Sequence, residues 1–219
     1  MTCDFSFKHY TETLRQATKT YTFYTFKDFP DNSNEKYILL RHDIDASLNR
    51  ALRMATIEND LGICSTFFIR LHAPLATYNL NNNKDCENIH KILNMQHEIG
   101  LHYEPKFYLE HPICMSVKER IKTEAKSLGK KFNIEIKSIA PHLTDYYDKL
   151  REKYGEISPP FIEAYPQKFS SKPKYISDSR KRWHEDCMCR WIGRETKLQI
   201  LCHPCWWNGR SKKEVDELL

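Results

Sequence analysis

Two hydrophobic periods alternate along the chain. Helical spacing places Phe5, Tyr10, Leu14 and Ala17 on an N-terminal helix. Tyr21 to Phe29 is aromatic and Thr-rich and reads as a short strand entering a turn at 30–34. The strand Lys36–Arg41 follows, and Ser47 is placed to start a helix carrying Leu48, Ala51, Leu52, Ala55 and Ile57, which Gly62 ends. Ile63–Leu71 reads as a strand, 72–83 as a polar loop, Asn88–Met95 as a helix and His97–Tyr103 as a strand. The pattern continues with a helix over Val117–Leu128 stopped by Gly129, a strand at Ile134–Ala140 and a helix at Asp145–Lys153. Short strands are expected at Phe161–Tyr165 and Lys174–Ser177 and a last one at Leu198–Cys202, with Ser211 capping a final helix that ends at Leu219.

Strand and helix alternate with no linker, repeat or low-complexity segment, so one domain over residues 1–219 is expected, built on a parallel sheet that is open or closed into a barrel. Against that frame the polar clusters share one placement. His42-Asp43-Ile44-Asp45, His102-Tyr103-Glu104, Pro141-His142, Ser177-Asp178-Ser179 and Cys202-His203-Pro204 each follow a strand at its C-terminal end. Barrels and open α/β sheets build their ligand sites at that edge.

The most informative stretch is Tyr37-Ile38-Leu39-Leu40-Arg41-His42-Asp43-Ile44-Asp45. Strand alternation puts Asp43 and Asp45 on one face and His42 and Ile44 on the other. Two buried carboxylates so close repel unless a metal or a shared proton offsets their charge. Two aspartates with histidines from other strands fit one divalent metal, zinc or another first-row ion, with a position left open for water. A carboxylate beside that water can take its proton, and a histidine across the site can protonate a leaving group. This is a division of labour for metal-assisted hydrolysis of an amide or ester.

Composition narrows the partners. The chain has 219 residues, and 34 Lys and Arg against 29 Asp and Glu leave a scattered net charge of +5, with no nucleic-acid module. Anionic sugar phosphates or nucleotides are permitted by that charge but not demanded. No apolar run approaches the ~20 residues of a membrane span. The N-terminus has no basic stretch leading into an apolar core, so a cytoplasmic location is expected. Eight cysteines then read as reduced thiols, mostly small core residues.

Leu40-Arg41-His42-Asp43-Ile44-Asp45, then Gln96-His97-Glu98-Ile99-Gly100-Leu101-His102, then Leu201-Cys202-His203-Pro204 resemble the polysaccharide deacetylase (NodB-homology, carbohydrate esterase type) superfamily. More narrowly, they resemble its branch with an Arg-His-Asp-x-Asp first motif, found around bacterial surface-polysaccharide synthesis. The resemblance implies a deformed (β/α) barrel, usually seven-stranded, with a divalent metal (zinc, or cobalt or nickel) at the strand C-termini. It further implies that Asp43 is the catalytic base, Asp45 and His102 are metal ligands, and His203 is the general acid. The implied activity removes an N-acyl, acetyl-like group from a carbohydrate, free or nucleotide- or lipid-linked; no oligomeric state follows. Two positions depart from the family pattern. The usual second metal histidine lies four residues after the first, where this chain has Lys106, and no arginine stands at Ile139 in Ile139-Ala140-Pro141-His142. His142 is the first alternative for the third ligand, then Glu104 or Asp178; Asp43 could also ligate directly. The same departures support a second class of function, an impaired barrel that binds a glycan or assists polysaccharide assembly.

Plainer readings compete at several positions. Asp45 precedes a helix and would suit its N-terminal cap. His97 points away from His102 and suits a hydrogen-bonded structural role. Trp206-Trp207 fits a packed turn as well as a sugar platform, and Asp178 between two serines fits an Asx turn. A rival zinc site could use Cys187-x-Cys189 and Cys202-x-x-Cys205 with His184, although the first spacing does not match a zinc knuckle. Cys202-His203-Pro204-Cys205 also mimics a redox motif, but too near the C-terminus for that fold to follow it.

Overall fold

In a computed structural model, which describes residues 4–30, 34–155, 160–164 and 173–208, the two hydrophobic periods become eight parallel strands and their covering helices. The strands are β1 (Thr22–Tyr24), β2 (Tyr37–Ile44), β3 (Thr66–Ile69), β4 (Glu98–Tyr103), β5 (Ser138–Pro141), β6 (Ile162–Glu163), β7 (Lys174–Ser177) and β8 (Lys197–Cys202). Seven of them run in the order β6-β5-β4-β3-β2-β8-β7 and form a curled, deformed (β/α) barrel. β1 extends the row on β2, pairing with Tyr37–Leu39, while β3 pairs with Arg41–Ile44. β2 is thus central, and all eight of its residues are buried.

The helices are α1 (Phe7–Ala17), α2 (Leu48–Asp60), α3 (Asn83–Asn94), α4 (Pro105–Glu110), α5 (Val117–Phe132), α6 (Thr144–Tyr154) and α7 (Met188–Trp191). Ser6, Ser47, Asn82 and Ser116 cap α1, α2, α3 and α5 by accepting from backbone N–H groups of the first turn. Outward strand residues meet the helices in two clusters. Ile44, Phe67, Ile99, Leu101 and Ile139 pack under α2, α3 and α5, and Ile38, Leu40, Leu198 and Ile200 pack under α1 and α7. His42 and His97 also lie outside the barrel, around buried Glu58. Glu58 accepts from Tyr10 at 2.6 Å and Ser65 at 2.5 Å and lies 2.9 Å from His42. His97 accepts from the Ser65 N–H at Nδ1 and bonds the Ala55 carbonyl through Nε2, the structural role expected of it.

Inside the barrel, alternate residues of each strand stack in layers. At the N-terminal end Glu98 accepts from the hydroxyls of Thr66 and Ser138 and from the Lys27 N–H. The middle layer holds Leu39, Phe68, Ala140 and Ala164. The top layer is the candidate site. Gly100 stands between Glu98 and His102 on the inward face of β4, where a Cβ would meet the Phe68 ring at 2.5 Å and Ser138 Oγ at 2.8 Å.

Several boundaries differ from the sequence reading. β2 runs three residues past Arg41, because His42 and Ile44 still pair with β8 or β3 and the charged inward residues find partners. α5 continues through Gly129 to Phe132 and stops at Asn133, which takes the left-handed conformation at φ 54°. α3 starts at Asn83, since Asn82 supplies the cap. α4 and α7 are short helices that show no helical period of their own. The central residues of the expected 30–34 turn, the end of the Phe161–Tyr165 strand and the helix from Ser211 lie outside the described residues.

Because its missing Cβ makes room for Phe68, Gly100→Ala is expected to cost about 1–3 kcal/mol, as an overpacked core does. Chemical denaturation would read the loss, and an unchanged midpoint would show that the Phe68 ring moves aside freely.

Candidate active site

Five strand ends build the site: β2, β4, β5, β7 and β8, the five named from sequence. Parity on β2 aims Arg41, Asp43 and Asp45 into the barrel and leaves His42 outside. Asp45 is not the helix cap; Ser47 is.

Asp45, His102 and His142 bring one ligand atom each to within 4.8 Å of one another. His102 Nε2 lies 3.4 Å from Asp45 Oδ1 and 3.6 Å from Asp43 Oδ2. His142 Nε2 lies 3.6 Å from Asp45 Oδ1. His102 Nδ1 sits 2.9 Å from the Ala140 carbonyl, so it carries the proton and turns the Nε2 lone pair toward the carboxylates. Asp45 Oδ1 and His142 Nε2 are buried and make no hydrogen bond. Leaving such a group unpaired costs ~1–3 kcal/mol each. Three converging lone pairs are what a divalent cation resolves, and an Asp-His-His set suits zinc or another first-row ion. Burial lowers His142 to about 3 against the pull of Asp45, so its imidazole is neutral as a ligand must be.

The other third-ligand candidates are engaged elsewhere. Glu104 accepts from Arg70 at 2.5 Å and from the His72 N–H. Lys106 is exposed on α4 near Glu110 and the Tyr146 ring, pointing away from the cluster.

Asp43 is held by an arginine that sequence reading did not assign. Arg41 Nε donates to Asp43 Oδ1 at 3.1 Å and Nη2 to Oδ2 at 2.7 Å, a bidentate clamp inside one strand. Its third arm, Nη1, donates to the Ala164 carbonyl at 2.7 Å, which also accepts from Gln199 at 2.6 Å. Burial penalises the Asp43 charge, but Arg41 and then His102 outweigh it and hold the carboxyl below the usual range. The signal for this pair was the spacing: residues two apart on a strand share a face.

Across the site, His203 Nε2 lies 3.7 Å from Asp45 Oδ2. Its other nitrogen, Nδ1, meets Asp178 at 2.6 Å. Asp178 is wholly buried and also accepts from the His203 N–H and from Trp207 Nε1 at 2.8 Å. It makes no Asx turn; Ser177 Oγ accepts from the Ser179 N–H instead. Burial alone would keep His203 neutral, but the hydrogen bond and charge of Asp178 raise it to about 9. Trp206 and Trp207 are core, the latter edge-on to Tyr10 and Phe5. Burial, and then Asp45 and Asp178, push the Cys205 thiol up, the opposite of the lowered thiol a reactive redox cysteine needs.

The fold is the deformed barrel seen in a carbohydrate esterase family 4 (CE4) domain. The chain is similar to the CE4 domain of a multidomain xylanase from the hindgut metagenome of Trinervitermes trinervoides, with 16% identity over 84% of this chain and 80% of that one and a TM-score of 0.50. It is also similar to a CE4 family pseudoenzyme from Bacillus anthracis in a variant with restored enzymatic activity, at 13% identity, 85% and 62% coverage and a TM-score of 0.48. Peptidoglycan deacetylase PdaC from Bacillus subtilis gives 17%, 84%, 82% and 0.46. The chain spans 62% of the length of the pseudoenzyme variant. At these identities the likeness shows the fold alone. No protein-family model matches the chain, and no curated protein matches it significantly.

If His142 rather than the residue at 106 completes the ligand set, His142→Ala is expected to lose one bound zinc that Lys106→Ala retains. Elemental analysis after dialysis against zinc reads this, and equal metal in both variants would place the third ligand elsewhere.

Proposed function

We propose that the chain is a metal-dependent hydrolase that removes an N-acyl, acetyl-like group from a carbohydrate, with a role in surface-polysaccharide biosynthesis. The carrying observation is the company that Asp45, His102 and His142 keep: a carboxylate clamped by an arginine and an imidazole backed by a carboxylate. A sugar in free, nucleotide-linked or lipid-linked form is the substrate, and zinc is the first choice of ion, before cobalt and nickel.

Asp45, His102 and His142 would hold the ion. Bound there, a divalent cation would supply Lewis acidity toward the acyl oxygen and lower the pKa of an attacking water. Asp43 is ionised at neutral pH and accepts the proton of that water, while Arg41 fixes the direction of its lone pairs. His203 is an imidazolium at neutral pH and donates from Nε2 to the departing amine. Asp178 holds the opposite nitrogen and stabilises the charged ring, as a carboxylate does behind a catalytic histidine. His203 lies 3.7 Å from Asp45 and Asp43 lies 3.6 Å from His102, so donor and base both border the proposed ligand set.

The impaired-barrel alternative drew on Lys106 and on the lack of arginine at 139. His142 and Arg41 offer those functions from other positions, which favours the enzyme reading. The deciding experiment incubates zinc-loaded protein with N-acetylated oligosaccharides and measures acetate release beside Asp43→Asn and His102→Ala. Release by the wild type, lost in both variants, supports the hydrolase. Sugar binding without release, undisturbed by chelation, would establish the binding module.

Removing the proton donor by His203→Ala should lower kcat on the order of 10²–10⁴-fold, the share a general acid contributes. The pH profile gives a second check. The donor is active while protonated, so the rate should fall as pH rises through about 9. Asp178→Asn removes the charge that raises it, and the alkaline limb should move toward lower pH; an unmoved limb would assign it to another group.

A further inference from the structure

The second sulfur-rich segment has no part in the rim. Cys187 precedes α7 and Cys189 lies in its first turn. The histidine beside them is not His184, which is exposed, but His9 of α1, 178 residues away from Cys187 in sequence. His9 Nε2 stands 3.2 Å from Cys187 Sγ, and the ligand atoms of His9, Cys187 and Cys189 all lie within 4.8 Å of one another. Cys202 and Cys205 are not part of the group. Neither Cys187 nor Cys189 is in a disulfide. His9 and Cys187 are buried and Cys189 is half-buried, so the cluster has a route to solvent on one side.

Zinc bonds of ~2.3 Å to sulfur and ~2.0 Å to nitrogen in a tetrahedron set ligand atoms roughly 3.6 Å apart. The His9–Cys187 spacing of 3.2 Å is close to that value, and all three atoms lie within 4.8 Å of one another. We propose that His9, Cys187 and Cys189 form a second metal centre, a zinc site with three protein ligands whose fourth position opens to solvent beside Cys189. Loading is a proton exchange with no electron transfer. Two thiols each release a proton to the buffer, two Zn–S bonds and one Zn–N bond form, and the dication with two thiolates leaves a centre of no net charge. A neutral centre suits a largely buried location. The site ties α1 to α7 beside the Phe5, Trp183 and Trp207 rings, and Trp207 donates to Asp178 behind His203. The proposal stands independently of any hydrolase activity.

Cobalt(II) separates the two centres, because the rim cluster contains no sulfur. His102→Ala protein loaded with cobalt is expected to show the near-ultraviolet charge-transfer band of a thiolate–cobalt bond, with about one bound ion. Adding Cys189→Ser should remove band and ion while the circular dichroism spectrum stays unchanged. A second measurement covers the case in which that variant does not fold. In the wild type, zinc should shield Cys187 and Cys189 from alkylation, located by peptide mass spectrometry, and a chelator should restore their reactivity. No thiolate band from folded protein, a band that survives Cys189→Ser, or alkylation indifferent to zinc would overturn the proposal. The His9–Cys187 contact would then be a thiol–imidazole hydrogen bond and nothing more.

Discussion

Burying Arg41, Asp43 and Asp45 in a row on the inward face of the central strand is the constraint on which the top of this barrel depends. Each charge taken from water costs several kcal/mol unless paired and hydrogen-bonded. Arg41 and Asp43 satisfy each other in a clamp with two donors and two acceptors. That leaves Asp45 as the carboxylate whose inward oxygen has no hydrogen bond, and the two histidines of β4 and β5 are turned toward it. The layers beneath serve the same end. Glu98 ties β3 to β5 at the N-terminal end, and Gly100 lets Phe68 fill the width between, so His102 arrives at a fixed height.

The His203 side follows a different construction. No single strand carries it; β7 brings Asp178 and β8 brings His203, and a tryptophan from the following turn donates the third hydrogen bond. Asp178 is therefore a buried carboxylate with all its partners present, in contrast to Asp45. One rim holds a satisfied aspartate that sets a proton and an unsatisfied one that calls for a cation. The same residue type does two jobs because its neighbours differ.

How much of this the chain disclosed depends on distance in sequence. The inward facing of Asp43 and Asp45 follows from alternation within one strand, and the rim follows from strand ends, so both were legible. His142 was named among three options by its place after β5, but its closeness to Asp45 is a tertiary fact. Arg41 stands two residues from Asp43 on the same strand face, whereas the family pattern places an arginine at the position of Ile139. Asp178 read as a turn or a spare ligand, because the partners it holds lie 25 and 29 residues away. His9 could not be matched with Cys187 because nothing local in α1 marks it as anything but a helix residue. α4 and α7 are too short for a period to show, and α5 outran Gly129 because one glycine costs only ~1 kcal/mol in a helix.

Arg41 is positioned by the carbonyl of Ala164, at the end of the edge strand β6, which accepts from Gln199 as well. A main-chain oxygen is the same whatever side chain stands at that position. The contact that steadies the arginine is thus indifferent to the letter written at 164 and sensitive to where the strand lies. Part of this site is written in geometry alone: a shift of the barrel's outermost strand would re-aim its carboxylate without any change in the residues that touch it.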